Sequence, residues 1–225
     1  MKKQRILKLS QPRFRGAMSI EEAFKSRRTI RRFSSKEIDF SVISQLLWAL
    51  QGTTYVENLH GNEKIFHKAA PSAGRTYPLE VYVAFSEGVY RYEPRNHSLH
   101  LIDDEDIRGR LSEAAITPLN REAIKTVPLT IILAADNRRA LKATPLLENA
   151  VKFVHLEAGH ATQNLILQAV SLGLGVCTIT SYEIATVYEA LKLPRDHRPI
   201  YILPIGFPKE VNNENPNKKI LTLFL

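Results

Sequence analysis

The sequence predicts a single α+β domain in which an antiparallel or mixed β-sheet packs around one long helix. Three observations lead to this prediction. Strand and helix patterns are interspersed along the chain. Two short apolar patterns flank the turn sequence EPRNH, as in a β-hairpin. The longest helical pattern, at residues 148–172, is apolar around most of its circumference, which is typical of a central helix.

Two helices are predicted before the first strand. The first covers residues 19–27, because Ser19 can cap it and acidic and basic residues fill its first and last turns. The second covers residues 39–52, with an apolar face and Gly52 as its stop signal. Residues 53–78 are predicted to be loop.

The remaining elements follow from periodicity and turn residues. A strand is predicted at residues 79–85, where Leu79, Val81, Val83 and Phe85 alternate with other residues. The other predicted strands are the hairpin at 89–92 and 98–102, then 129–135, 176–180 and 200–205. The other predicted helices are 103–115, 148–172 and 182–191, with polar loop at 136–147.

The last eight residues, KKILTLFL at 218–225, have the pattern of a strand with two apolar faces. A terminal apolar strand promotes aggregation unless it is paired. We therefore predict that it crosses to a second copy and joins its sheet, as a domain-swapped C-terminal arm in a homodimer.

Composition and charge limit the classes of function that are compatible with the sequence. Of 225 residues, 44% are hydrophobic and 24% charged, as in soluble globular proteins, and no apolar run approaches a membrane span. The net charge is +8. Residues 1–32 hold 11 Lys/Arg and 2 Asp/Glu, a net charge of +9, and residues 33–225 hold 20 Lys/Arg and 21 Asp/Glu, a net charge of −1. We therefore predict a basic arm at 1–18 ahead of one domain at 19–225. This distribution disfavours a nucleic-acid surface but leaves contact through residues 1–32 as an alternative.

Cysteine and histidine usage points to no metal site and no disulfide. Cys177 is the single cysteine, which fits a reducing cytoplasm, and we interpret it as a small core residue. The seven histidines lack the spacing of metal ligands.

Two polar patterns are candidates for a binding site. One is a stripe about 80° wide on the long helix, formed by Glu157, His160, Asn164 and Gln168. It is either a solvated or subunit-facing surface or a polar wall against a cofactor or dimer partner. The second pattern is RRTIRRF, residues 27–33. In an extended chain alternate side chains at 27, 29 and 31 would present two guanidinium groups and a hydroxyl to one anion. The alternative is a solvated basic run at a helix end.

Five motifs in order, RRTIRRF, PSAG, LEAGHATQNL, GLGVC and IGFP, resemble the nitroreductase family of flavin enzymes from about residue 19 to the C-terminus. The segments RTYPLEVYVAF and GVYRYEPRNHSL look closest to the branch that contains azoline (thiazole/oxazole) dehydrogenases. The resemblance implies an α+β homodimer with FMN bound in two sites at the subunit interface.

The resemblance also implies which residues bind FMN. The segment that holds the ribityl phosphate and the pyrimidine side of the ring corresponds to Arg27, Arg28, Thr29 and Arg31. The loop that approaches the flavin from the other subunit corresponds to Pro71, Ser72, Ala73 and Gly74. The turn that leads to the strand at the flavin edge corresponds to Gly173, Leu174 and Gly175. The backbone groups that meet the reactive edge of the ring correspond to Ile179 and Thr180. The candidates that complete the phosphate site are Lys218 and Lys219.

The composition of the PSAG loop has a physical reason in this context. Backbone N–H groups can reach the edge of a flat, rigid isoalloxazine only where side chains are small, and prolines stiffen such a loop. Without the arginine segment we would interpret PSAG as a turn before a strand.

The function implied by the resemblance is transfer of a hydride, or two electrons, between NAD(P)H and a small electron-poor acceptor such as a nitroaromatic or a quinone. The alternatives are an azoline dehydrogenase acting on a modified peptide and a flavin-binding protein without turnover. We predict no catalytic side chain, because flavin carries the chemistry. The Lys-Tyr pair of azoline dehydrogenases has its nearest counterpart on the long helix in Lys152-Phe153, which lacks the phenol.

Overall fold

The computed structural model describes residues 5–59 and 63–209. Lys218, Lys219 and the strand predicted at 218–225 lie outside these residues. The described strands are β1 (Ile6–Lys8), β2 (Thr53–Asn58), β3 (Lys64–Lys68), β4 (Leu79–Phe85), β5 (Gly88–Glu93), β6 (Ser98–Asp103), β7 (Leu129–Asp136), β8 (Gly175–Val176) and β9 (His197–Gly206). The described helices are α1 (Ile20–Ser26), α2 (Phe40–Gln51), α3 (Arg108–Ala114), α4 (Pro118–Thr126), α5 (Asn137–Ala140), α6 (Leu147–Ser171) and α7 (Ile184–Leu191).

Seven strands form one sheet in the order β1-β6-β5-β4-β7-β9-β8, and every neighbouring pair is antiparallel. This confirms the α+β prediction. Strand β7, in the interior of the sheet, is buried on both faces from Leu129 to Ala135. Its odd-numbered residues pack against α2 and α6, and Ile132 and Ala134 pack against α3, α4 and α7. The domain therefore has three layers, with the sheet in the middle.

The long helix α6 lies flat on the sheet because its buried side is built largely from small residues. Its side chains in the main core are Ala150, Val154, Ala158, Ala161, Leu165 and Ala169. They recur at intervals of three and four, which keeps them on one side of the helix. No helix within the described residues is both long and apolar enough to cross a membrane.

The prediction of loop at 53–78 is wrong. β2 and β3 form a separate antiparallel hairpin with Val56 opposite Phe66, and a short 3-10 turn follows at Ala73–Arg75. The sequence of β2 does not alternate between apolar and polar residues, because consecutive residues of the strand, Thr54, Tyr55 and Val56, are all exposed and neither face is buried.

Other elements also differ from the predictions. The strand predicted at 176–180 is confined to Gly175–Val176, and the strand predicted at 200–205 extends over His197–Gly206. The helix predicted at 103–115 begins only at Arg108, because Asp103 still belongs to β6. The loop predicted at 136–147 contains α5, whose first turn is capped by the Asp136 carboxylate. Helix α4 was not predicted, although Thr117 caps it and Pro118 occupies its first turn.

Part of the predicted basic arm is built into the sheet. β1 pairs with β6 and places Leu7 opposite Leu99. Beyond β1, the Ser10 carbonyl accepts a hydrogen bond from the Ser44 hydroxyl at 2.7 Å. The Arg13 N–H donates to the Gln45 side chain at 2.7 Å. These bonds hold the segment before α1 against α2.

Candidate functional site

A glycine turn after α6 brings the arginine segment to the edge of the sheet. Gly173 adopts a left-handed conformation with φ 73° and ends the helix. A Cβ on Gly175 would lie 2.5 Å from the Ile30 side chain, so only glycine permits this approach. Thr29 consequently pairs in parallel with Val176, and the Ile30 N–H donates to the Val176 carbonyl at 3.2 Å.

The arginine segment, α6 and the edge strands enclose a recess of about 270 Å³, which we call the arginine cavity. Its lining residues are Arg27, Arg28, Thr29, Gly159, Thr162, Gln163, Ile166, Val176, Thr178 and Tyr201. Two guanidinium groups and several hydroxyls thus meet in one concave space. Such a donor set suits a phosphate and the polar edge of a ring.

The arginines of the segment have different environments. Nη1 of Arg28 donates to the carbonyls of Lys25 at 2.9 Å and Arg27 at 2.8 Å, so this side chain closes the end of α1. The Arg27 guanidinium is half-buried and has no hydrogen-bond or ion-pair partner within the described part of the chain. Arg31 does not line the cavity and lies against the Cys177 thiol. The structure therefore brings Arg27, Arg28 and Thr29 together and places Arg31 elsewhere.

The thiol beside Arg31 has the properties of a core residue. Cys177 is 1% exposed, and this burial raises the pKa of its thiol, while the charge of Arg31 opposes the shift. A raised pKa keeps the sulfur protonated and unreactive at neutral pH.

The segment after β8 leaves backbone N–H groups unpaired at alternate residues. The N–H and carbonyl of Ile179 are both bonded to Ile202, at 2.9 and 3.0 Å, so Ile179 has no backbone donor left for a ligand. The N–H groups of Thr178 and Thr180 have no partner among the described residues, and both residues are exposed. Thr178, which the sequence did not single out, lines the arginine cavity. Backbone donors at this edge therefore come from Thr178 and Thr180.

A buried hydroxyl in the same cavity lacks a partner. Thr162 is 3% exposed and its Oγ1 has no hydrogen bond within the described residues. Leaving such a group unpaired costs about 1–3 kcal/mol, so a ligand that bonds to it would recover that energy. Sequence reasoning missed Thr162 because one small polar residue on a helix leaves no pattern.

The PSAG loop has a strained backbone and its own internal bonds. The Ser72 hydroxyl accepts from the Tyr77 N–H at 2.9 Å. Gly74, Arg75 and Tyr77 all have positive φ, of 58°, 56° and 44°. Left-handed conformations at two non-glycine residues so close together are uncommon and concentrate at functional sites.

The polar stripe of α6 faces the inside of the protein, not solvent. Glu157 is 3% exposed, and burial raises the pKa of its carboxyl, while the Ser72 hydroxyl and the charge of Lys68 oppose the shift. Asn164 donates to the Ala69 carbonyl at 3.3 Å, and Gln168 accepts from Gln45 at 2.9 Å. Of the predicted stripe, His160 alone is exposed.

The PSAG loop and the arginine cavity lie on opposite sides of α6 within one chain. Residues 157, 164 and 168 face the loop and α2, whereas residues 159, 162, 163 and 166 line the cavity. At about 100° per residue the two sets are centred roughly 180° apart. A ligand that touched both would have to extend around the exposed side of α6 or lie between two copies of the chain.

One potential metal-ligand group occurs among the described residues. Ligand atoms of Asp136, Asp196 and His197 lie within 4.8 Å of one another. Arg138 forms ion pairs with both carboxylates, and Nδ1 of His197 shares a 2.6 Å hydrogen bond with the Tyr82 hydroxyl. The Arg138 guanidinium therefore already occupies the position beside the two carboxylates that a metal cation would take.

Known proteins resemble this chain over most of its length. A family model described as the nitroreductase family matches residues 24–207. A candidate nitroreductase of Methanocaldococcus jannaschii is 33% identical over 195 residues, which cover 84% of this chain and 91% of that protein. A candidate NADH dehydrogenase/NAD(P)H nitroreductase of Methanothermobacter thermautotrophicus is 23% identical over 197 residues, covering 86% and 79%. The crystal structure of a candidate nitroreductase from Ralstonia eutropha superimposes with a TM-score of 0.76 at 25% identity, covering 94% and 93%.

Proposed function

The chain belongs to the nitroreductase family of oxidoreductases, and on that premise we propose that it binds FMN and passes two electrons from NADH or NADPH to a small electron-poor acceptor. Nitroaromatics and quinones are acceptors of this kind. The M. thermautotrophicus relative, whose name includes NAD(P)H, supports this donor.

The observation that carries the proposal is the donor set of the arginine cavity. Arg27 offers an unengaged guanidinium, Thr29 a hydroxyl, and Thr162 a buried hydroxyl without a partner. A phosphate is bound well by a planar guanidinium fork with hydroxyls beside it. In this proposal Arg27 and Thr29 hold the FMN phosphate, and Arg28 fixes the end of α1. Lys218 and Lys219 remain proposed additions to the phosphate site.

The backbone after β8 would orient the ring. Unpaired N–H groups at Thr178 and Thr180 can donate to ring atoms that become more negative on reduction. The flavin, when bound, supplies the two-electron chemistry, and the chain supplies position and electrostatics. The turn at Gly173–Gly175 acts indirectly, by bringing Thr29 and Thr178 to the same recess.

We further propose a homodimer in which the PSAG loop of one copy covers the flavin held by the other. The opposite placement of the loop and the cavity on α6 supports this arrangement. Large apolar side chains on α1 and α6 are exposed, Phe24 at 58%, Leu147 at 61% and Leu156 at 54%, and a second copy would bury them. The C-terminal strand at 218–225 would add to the same interface by crossing between copies.

The test is a flavin titration of Arg27→Gln beside a matched control, Arg32→Gln. Arg32 is exposed and does not line the cavity. Loss of a charge-assisted bond to phosphate should weaken FMN binding at least about tenfold in Arg27→Gln. Arg32→Gln should bind like the wild type. Failure of the wild type to bind FMN, or equal behaviour of the two variants, would contradict the proposal.

Anaerobic mixing of the FMN-bound protein with NADH or NADPH distinguishes an oxidoreductase from a flavin-binding protein without turnover. Bleaching of the visible flavin band supports an oxidoreductase, whereas an unchanged spectrum indicates a flavin-binding protein without turnover. The azoline alternative has no side-chain support here, because Lys152 is exposed and donates to Asn149 at 3.3 Å beside a phenylalanine. Reduction of small acceptors therefore remains the proposed activity.

A further inference from the structure

A second cavity, of about 430 Å³, lies between the β2–β3 hairpin, the turn at 75–77, β4, β5 and the segment after β7. It shares no lining residue with the arginine cavity. Its charged lining residues are Lys64, Lys68, Arg75, Arg91, Arg95, Arg139 and Lys142, with Glu80 and Glu93. Seven basic groups thus face two carboxylates, and we call this space the basic cavity.

The positive charge of the basic cavity is not neutralised by its own carboxylates. Glu80 is paired with Arg139. Glu93 accepts a hydrogen bond from the Arg95 backbone N–H at 3.1 Å. Arg75 forms an ion pair of 3.6 Å with Glu57, which does not line the basic cavity. The lining residues that have no carboxylate within 4.0 Å among residues 5–59 and 63–209 are Lys64, Lys68, Arg91, Arg95 and Lys142.

Several of these cations are held in place by their surroundings. The Lys68 ammonium lies over the Tyr77 ring, 4.9 Å from its centroid, and the Arg95 guanidinium lies 5.1 Å from that of Phe66. Aromatic faces attract cations and restrict their movement. Arg75 and Tyr77, whose backbones are in the left-handed region, line the same cavity. A concave basic surface of this kind concentrates field lines and attracts anions.

We propose that the basic cavity binds a small organic polyanion, such as a phosphate ester or a polycarboxylate. The volume lies in the range of ligand sites and exceeds the needs of a single inorganic ion. Cations from β3, β5 and the segment after α5 face the same space, so a ligand with two or more negative groups suits them better than one with a single charge. The assignment does not depend on flavin binding, because the two cavities have separate residues.

The environment of Lys68 agrees with an anionic ligand. Burial, together with repulsion from Arg139, lowers the pKa of its ammonium to about 8. The charges that oppose this shift are Glu157, Glu80 and Glu93. A bound polyanion would favour the protonated lysine, so its affinity should fall as the pH rises through about 8.

The first experiment is calorimetric titration of the full chain, reconstituted with FMN where it binds, with pyrophosphate, citrate and uncharged glucose. We expect binding of at least one polyanion and no binding of glucose. Each polyanion that binds the wild type should bind at least about tenfold more weakly to the double variant Arg91→Gln/Arg95→Gln, because charge-assisted bonds are lost. The exposed single variant Lys142→Gln should bind about threefold more weakly and carries little risk of misfolding. Circular dichroism and thermal melting verify the fold of each variant.

Arg27→Gln is the matched control, because it alters the arginine cavity alone. Polyanion binding that is retained in Arg27→Gln and lost in the double variant supports the basic cavity, whether or not FMN binds. Binding that is lost only in Arg27→Gln, or lost equally in both, overturns the proposal, as does absence of polyanion binding to the wild type. Preference for pyrophosphate or for citrate distinguishes a phosphate ester from a polycarboxylate.

The second experiment is a pH series with citrate, whose carboxylates are all ionised above neutrality. Wild-type affinity should decrease between pH 7 and 9, and Lys68→Met should lose most of this dependence. An unchanged slope in Lys68→Met would remove Lys68 from the binding site and contradict the proposed ligand arrangement.

Discussion

The closest packing that the candidate site requires is between Gly175 and Ile30. A Cβ added at Gly175 would meet Cβ and Cγ1 of Ile30 at 2.5 Å and Cγ2 at 3.0 Å. Gly175→Ala must therefore push the arginine segment away from β8. This movement would open the pairing of Thr29 with Val176 and displace Arg27 from the arginine cavity.

The expected cost of Gly175→Ala follows from two terms. Overpacking by one methyl group costs about 1–3 kcal/mol, and loss of the Ile30–Val176 backbone bond adds about 1 kcal/mol. The free energy of unfolding should therefore fall by about 2–4 kcal/mol. FMN affinity should fall as well, because Arg27 and Thr178 would no longer face the same recess.

Double variants test whether this contact is the cause. Ile30→Gly removes all three atoms that the new Cβ would meet, so adding Gly175→Ala to it should cost little more than Ile30→Gly alone. Ile30→Ala retains the Cβ at 2.5 Å, so the full cost of Gly175→Ala should persist in that background. Gly109→Ala, whose added Cβ has open space, is the matched control and should be neutral or slightly stabilising. Urea denaturation gives the free energies; equal cost of Gly175→Ala in all three backgrounds would refute the explanation.

Three further variants test other features. The folded pKa of Lys68 lies near 8, below its usual 10.5, so the unfolded chain binds more protons between about pH 8 and 10.5 and the stability of the wild type should rise in that interval. Lys68→Met should remove this increase. Urea denaturation of both proteins at pH 7.5 and 10 measures it, and an equal change in the free energy of unfolding in the two proteins would contradict the prediction. Gly74→Ala should cost about 1–2 kcal/mol, since φ is 58° and the new Cβ would lie 3.0 Å from Ala143; a thermal melt that matches the wild type would show the loop to be unstrained. Ser19→Ala should cost about 1 kcal/mol because the capping box with Glu22 is lost, and an unchanged unfolding midpoint would indicate that α1 contributes nothing to global stability.

Elements with strong periodicity could be predicted closely from the sequence. The helix predicted at 148–172 is Leu147–Ser171, and the strand predicted at 79–85 has the same bounds in the structure. The buried residues of the helix recur at intervals of three and four, and alternate residues of the strand pack in one core cluster. β2 and β3 were missed because their side chains are mostly exposed or half-buried, so burial imposes no pattern on them.

The candidate site was predictable where residues are neighbours in sequence and not where the fold brings them together. Arg27, Thr29 and Arg31 were expected to converge on one anion. Arg27 and Thr29 do line one cavity, together with Arg28, whereas Arg31 does not line it. Thr162 could not be identified because its burial depends on elements far along the chain. Ile179 was expected to offer its backbone, but pairing with Ile202 uses both of its backbone groups, and that partner strand is set by sheet topology.

The same topology explains why the basic cavity escaped the sequence analysis. Lys68 and Arg139 are 71 positions apart, and the antiparallel pairing of β4 with β7 is what places the segment after β7 beside Glu80. Charge counts along the chain cannot reveal such a convergence.

The face of α6 that lines the arginine cavity and the face that supports the PSAG loop cannot change independently. Inserting one residue between Glu157 and Gly159 would rotate everything beyond it by about 100°. That rotation would carry Thr162 away from Arg27 and, in the same movement, take Asn164 away from Ala69. The angular phase of one helix thus sets both the lining of the arginine cavity on one side and the support of the PSAG loop on the other, and any lengthening must come in whole turns or at the ends.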